Sequence, residues 1–223
     1  MIKLATSILT ADFTNLGRHI DILAQAGADM VHFDIMDGHF VPNISIGPPV
    51  LKSLRKKTDL IFDVHLMITR PRAYIQRFAA AGADIITFHV ESCWDASEVF
   101  ETIDMIRSTG TKVGITLKPV TTIHSIFEFV EHVDQVLIMS VNPGFGGQDF
   151  IGESLTRARE LRNYAESLGS NLDIAMDGGI NLSNVREVLE TGVNVAVVGS
   201  GIFERGDIHV ATMDFMKIFE DFR

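Results

Sequence analysis

One joint recurs along this chain. Ala26-Gly-Ala-Asp-Met-Val-His-Phe-Asp34 closely echoes Ala81-Gly-Ala-Asp-Ile-Ile-Thr-Phe-His89, and Thr191-Gly-Val-Asn-Val-Ala-Val-Val-Gly199 is a looser third copy. In each, a glycine stops a helix in a left-handed turn and an apolar strand follows at once. Gly27, Gly82, Gly110, Gly169 and Gly192 all suit that place; Gly27 to Gly82 is 55 positions and Gly82 to Gly110 is 28, which reads as two units and then one. A chain of such units alternates strand and helix, and that confines it to a parallel α/β architecture.

Strand-like runs fall at 2–9, 29–36, 60–67, 84–90, 112–117, 135–140, 171–177 and 194–199, with amphipathic segments at 12–26, 47–57, 71–81, 95–109, 122–132, 149–168, 181–191 and 207–221. The strands are near-continuous Val, Ile, Leu and Met, as expected where helices cover a parallel sheet whose inner face is filled by its own side chains. Eight units favour a closed (β/α)8 TIM barrel. An open Rossmann-like sheet is the alternative, weakened because no Gly-x-Gly-x-x-Gly follows the first strand. No Pro- or Ser-rich linker interrupts the 223 residues, so a single domain over 1–223 is expected.

Charges such as Lys57 and Asp59 recur too often for a membrane span, and Met1-Ile-Lys-Leu-Ala enters a strand without a secretory leader pattern, so a soluble cytoplasmic enzyme is expected. Cys93 is the only cysteine, which excludes an internal disulfide. Its neighbours Glu91 and Asp95 oppose a thiolate. A formal charge of −10 argues against nucleic-acid or anionic-membrane partners. A small molecule is the expected partner, and any anionic group on it must be held locally.

His32 and Asp34 stand two residues apart in an apolar strand, so both side chains leave on one face. Phe62-Asp-Val-His-Leu-Met67 offers a second imidazole, His65, and Met176-Asp-Gly-Gly179 a second carboxylate, Asp177. Two nitrogens and two carboxylate oxygens suit a divalent cation. Each of the four taken alone reads better as a hydrogen-bonded core residue; together that reading weakens, because unpaired charge in apolar strands is costly. In a barrel, chemistry collects where strands end, and there lie Ser7, His32, Asp34, Asp37, His65, Asn142, Gln148, Asp177 and Ser200. Glycine loops follow the last three strands at Gly144-Phe145-Gly146-Gly147, Gly178-Gly179 and Gly199-Ser200-Gly201. One such loop is a tight turn; three on adjacent strands can cradle an anion with main-chain N–H groups. A short sugar phosphate fits both halves.

The strings Ser7-Ile-Leu-Thr-Ala-Asp-Phe13, His32-Phe-Asp-Ile-Met-Asp-Gly-His-Phe-Val-Pro-Asn43, Asp63-Val-His-Leu-Met67, Ser140-Val-Asn-Pro-Gly-Phe-Gly-Gly-Gln148 and Asp177-Gly-Gly179 resemble the ribulose-phosphate 3-epimerase family from end to end. The resemblance implies a (β/α)8 barrel interconverting D-ribulose 5-phosphate and D-xylulose 5-phosphate. It implies one divalent ion per subunit, zinc foremost and otherwise iron(II), manganese or cobalt, on His32, Asp34, His65 and Asp177. Asp34 and Asp177 correspond to the acid/base pair, Ser7 and His65 to substrate contacts, and Gly144 to Gly147, Gly178, Gly179, Gly199 and Ser200 to the phosphate side. Met36, Met67 and Met139 correspond to side chains beside the intermediate, though methionine is also an adaptable core filler. The family forms dimers or hexamers, so a homo-oligomer is expected.

The chain departs from the family pattern at Thr6, Lys118 and Met176, which leaves every implied ligand in place but opens the choice of sugar; D-allulose 6-phosphate is the alternative substrate. A sugar-phosphate lyase of the same barrel type is a further alternative, against which no Asp-x-Lys-x-x-Asp appears near Asp34. A non-catalytic phosphosugar sensor would keep the loops without needing both carboxylates. Asp37-Gly38 reads as a turn, Trp94 as an exposed or interface aromatic, and His89 as packing on His65 or reaching the substrate.

Overall fold

Eight parallel strands close on themselves: β1 (Lys3–Ser7), β2 (Met30–Met36), β3 (Ile61–Met67), β4 (Ile85–His89), β5 (Lys112–Leu117), β6 (Gln135–Met139), β7 (Asp173–Asp177) and β8 (Val195–Val198). Each pairs with the next, and β1 also pairs with β8, with Ala5 opposite Met30 on one side and Val197 on the other. This computed structural model describes residues 1–222. The expected (β/α)8 barrel is therefore what the chain forms, with every strand within a few residues of its expected place.

Between the strands run α1 (Leu16–Gln25), α2 (Pro48–Arg55), α3 (Ile75–Ala81), α4 (Ala96–Ser108), α5 (Glu153–Ser167), α6 (Val185–Leu189), α7 (Ser200–Phe203) and α8 (Ile208–Glu220). Strand parity divides the core in two. Val31, Phe33 and Ile35 of β2 face the helices in the large outer cluster, where Phe33 meets Phe62 at 4.7 Å between ring centroids. Burying each such phenylalanine contributes about 1.5–3 kcal/mol. The alternate residues face inward, where Ala5, Met30, Leu137, Met139, Ala175, Val195 and Val197 plug the barrel. Gly82 ends α3 at φ 103°, and a Cβ there would lie 2.6 Å from the Arg55 side chain, so the joint needs glycine twice over.

The helical segments are shorter or different in places. The expected helix at 122–132 is a 3₁₀ helix over Ile123–His132, because its buried residues Ile123, Ile126 and Phe129 recur every third position. The segment expected from 149 starts only at Glu153, since the Ile151 N–H is drawn to the Ser140 carbonyl at 2.8 Å. The segment at 181–191 contracts to α6 because Asn181, Ser183 and Asn184 spend their side chains on local turn bonds. The four-residue α7 was not expected at all. No helix among the described residues is long and apolar enough to cross a membrane.

Candidate functional site

Inward parity on β2 sends His32 and Asp34 into the mouth of the barrel, and the β2–β3 register sets Asp34 beside His65 and His32 beside Asp63. Asp177 arrives from the end of β7. His65 Nδ1 lies 3.3 Å from Asp34 Oδ1 and 4.0 Å from Asp177 Oδ2; His32 Nε2 lies 3.5 Å and 3.9 Å from the same two oxygens. One donor atom from each of the four residues lies within 4.8 Å of all the others. Donors this close could share one cation. His32 Nε2 is buried and among the described residues has no hydrogen-bond partner, an orphan that a cation would satisfy. The four residues can hold a metal ion.

The second nitrogen of each imidazole is occupied. His32 Nδ1 donates to Asp63 Oδ2 at 2.7 Å, and Asp63 Oδ1 accepts from Gln135 Nε2 at 3.2 Å. His65 Nε2 lies 3.0 Å from His89 Nε2, with the two rings stacked at 5.1 Å. The Ser7 hydroxyl donates to Asp34 Oδ2 at 2.6 Å. Burial opposes charge on His32, but the carboxylates of Asp34 and Asp63 outweigh it and raise the imidazole well above its ordinary value. Burial likewise opposes ionisation of Asp34, yet His32 and His65 hold it far below the usual carboxylate range. At Asp177 burial and the nearby Asp34 charge act together and push the carboxyl up to about 7. Two carboxyls at one site thus differ widely in proton affinity.

Above this cluster opens a small cavity that faces solvent. Ser7, Asp34 and Asp177 line it, as do Met36, Met67 and Met139, and its far wall is Gly144, Phe145, Gly146, Gly147, Gly178, Gly179, Gly199 and Ser200. His32 and His65 lie beneath its floor, fully buried. Among the described residues no lysine or arginine lines it, so main-chain N–H groups are what meets an anion here. Side chains brace the wall: Gln148 Nε2 donates to the carbonyls of Asn142 and Phe145, and Asn43 Nδ2 to that of Gly144. All the expected site residues therefore meet at one mouth.

Other residues stand apart. Asp37 makes the expected turn, accepting from the N–H groups of His39, Phe40 and Thr69. Met176 faces the helix layer beside Ser154, and Thr6 bonds the Met30 carbonyl, so neither of these departures reaches the cavity. Lys118 lies at the rim with its ammonium 4.2 Å over the Phe40 ring. Trp94 is 95 % exposed. Sequence reasoning missed Asp63, although it shares a strand face with His65 by the same two-residue spacing that linked His32 to Asp34. It also missed Glu91, read only as a neighbour of Cys93.

A sequence model of the Ribulose-phosphate 3 epimerase family matches residues 3–203. The ribulose-phosphate 3-epimerase of Bacillus subtilis (strain 168) is 46% identical over 208 residues, covering 93% of this chain and 94% of the relative. That of Escherichia coli (strain K12) is 41% identical over 221 residues, covering 99% and 94%. Among solved structures, the 3-hexulose-6-phosphate synthase of Salmonella typhimurium superposes with a TM-score of 0.76 over all of both chains at 17% identity, a likeness of fold.

Proposed function

The chain belongs to the ribulose-phosphate 3-epimerase family, and from that premise we propose that it interconverts D-ribulose 5-phosphate and D-xylulose 5-phosphate as a single-domain barrel. One observation carries this: two carboxyl groups, on β2 and β7, converge on one cavity beside two imidazoles. Inverting a carbon beside a ketone means removing its proton from one face and returning one to the other, which asks for two carboxyls in opposite protonation states. Asp34, held ionised, takes the C3 proton of D-ribulose 5-phosphate. Asp177, which retains its proton readily, delivers one to the other face. The roles exchange in reverse. Ser7 steadies Asp34 by donating its hydroxyl to Oδ2.

Loss of the proton leaves an enediolate. His32, Asp34, His65 and Asp177 would hold a divalent ion, zinc foremost, whose charge offsets the negative charge that develops on the sugar oxygens. The glycine wall would hold the phosphate, and Met36, Met67 and Met139 would pack against the flat intermediate while excluding water. The exposed Trp94, Ile44 and Val120 suit a homo-oligomer, and the lone half-buried Cys93 suits the reducing cytoplasm.

The test is proton NMR in deuterated water with zinc-reconstituted protein and a panel of ketopentose and ketohexose phosphates. Deuterium should enter C3 of D-ribulose 5-phosphate as D-xylulose 5-phosphate forms. Faster turnover of D-allulose 6-phosphate would reassign the substrate. Release of formaldehyde or carbon dioxide without epimerisation would overturn the chemistry.

A further inference from the structure

His89 and Glu91 lie outside the cavity and take no part in the reaction as described, yet they continue a line that begins at Asp34. From Asp34 Oδ1 to His65 Nδ1 is 3.3 Å, from His65 Nε2 to His89 Nε2 is 3.0 Å, and from His89 Nδ1 to Glu91 Oε2 is 3.4 Å. His89 is fully buried. Its Nδ1 and Glu91 Oε2 are both buried, and among the described residues neither makes a well-formed hydrogen bond, so their 3.4 Å approach is the polar contact each has. The opposite oxygen of Glu91 is fixed by the Lys118 N–H at 2.7 Å and the Thr121 hydroxyl at 2.5 Å. Phe40 packs on the His89 ring at 4.8 Å between centroids, beneath the Lys118 ammonium.

The Glu91 carboxylate gives the line a direction, because it can only accept from His89 Nδ1. Two neutral imidazoles carry two N–H protons, but the line has three contacts: carboxylate to ring, ring to ring and ring to carboxylate. If His89 donates from Nδ1 to Glu91, its Nε2 must accept, and His65 must donate from Nε2. The contact left without a proton is His65 Nδ1 toward Asp34, where the orphaned His32 Nε2 and Asp177 also converge. A cation belongs in that gap.

We propose that Glu91 and His89 are positioning residues that lock His65 in its Nε2–H form, so that Nδ1 faces the metal with a free lone pair. The proposal rests on the metal reading given above. Asp63 does the same for His32 in one step, and the His65 side uses two. Outer partners of this kind are typically worth roughly 10–100-fold in metal affinity.

The experiment compares zinc affinity, by chelator competition, in wild type, His89→Phe, His89→Gln and Glu91→Gln, with the Tm of each metal-free protein and nitrogen-15 NMR of the histidines in the zinc-loaded form. His89→Phe keeps a stacking ring but removes the acceptor. It should weaken zinc binding roughly 10–100-fold and scatter the His65 tautomer, without a matching fall in the metal-free Tm. His89→Gln, whose carbonyl can accept the same proton, should recover most of the affinity, and Glu91→Gln should fall between. Wild type that binds zinc with His65 as Nδ1–H, or His89→Phe that binds it as tightly as wild type, overturns the inference alone. Wild type that takes up no zinc overturns the metal reading and this inference with it.

Discussion

Gly179 and Gly169 share a φ of 65°, but their surroundings differ completely. A Cβ on Gly179 would lie 2.8 Å from both Cα and N of Phe150, main-chain atoms that cannot rotate away; around Gly169 nothing lies within 4 Å. Alanine at either site meets the left-handed penalty of about 1–2 kcal/mol, offset by about 0.4–1 kcal/mol from a stiffer unfolded chain. Gly169→Ala should therefore cost about 1 kcal/mol. Gly179→Ala adds overpacking of about 1–3 kcal/mol, for a total of about 2–4 kcal/mol. At about 2–4 °C per kcal/mol for a chain of this size, Tm should drop by about 2–4 °C in the first variant and about 4–16 °C in the second. Urea melts followed by circular dichroism should show lower midpoints at unchanged slope. Steady-state kinetics should separate the two again, because Gly179 lines the cavity and Gly169 joins α5 to β7 at the other end of the barrel. KM for the sugar phosphate should rise in Gly179→Ala only. Equal destabilisation of the two would refute the argument that close main-chain approach, rather than conformation, demands glycine at 179.

Asp34→Asn and Asp177→Asn should each slow epimerisation by about 10²–10⁴-fold; in deuterated water, Asp177→Asn should still exchange the C3 hydrogen of D-ribulose 5-phosphate, which Asp34→Asn should not. Chelation followed by dialysis should lower Tm and activity together, and zinc at about 100 times its Kd should restore about 2.7 kcal/mol of stability, a gain that calorimetry would miss if the four residues hold no ion. Burial opposes ionisation of Asp37, but N–H donors from Thr69, Phe40 and His39 outweigh it and lower its carboxyl from 3.8 to about 2. A depressed folded value means stability that is present above pH 3.8 and lost as pH falls through about 2, so Asp37→Asn should be weaker at neutral pH and flatter across that window in acid melts. Parallel curves for the two proteins would contradict this.

The barrel was legible because its joints are local: a glycine whose left-handed turn ends a helix, then an apolar run, at five of the joints. The cluster at the mouth was legible for a related reason, since strand parity alone aims His32 and Asp34 together and places His65 on the neighbouring strand. What stayed hidden depended on packing between elements. The spacing of Ile123, Ile126 and Phe129 suited an amphipathic helix on paper, and only contact with the barrel selects the three-residue turn. Likewise His89 offered two directions from sequence, and only the closeness of β3 to β4 turns its ring onto His65.

Asp63 shows how far parity could have been carried. It stands two residues before His65 and opposite His32, which makes it an inward carboxylate one tier below the cavity. A carboxylate wholly out of water costs several kcal/mol unless it is paired and hydrogen-bonded. Here His32 Nδ1 and Gln135 Nε2 satisfy it, so the barrel tolerates the charge without drawing much stability from it. Buried ion pairs can often be replaced by apolar residues with no loss of stability. A polar tier of Asp63, Gln135, Thr87 and His32 inside an otherwise apolar plug is therefore poorly explained by folding alone. It is well explained by a need to fix the His32 ring with Nε2 aimed at the point where Asp34, His65 and Asp177 converge.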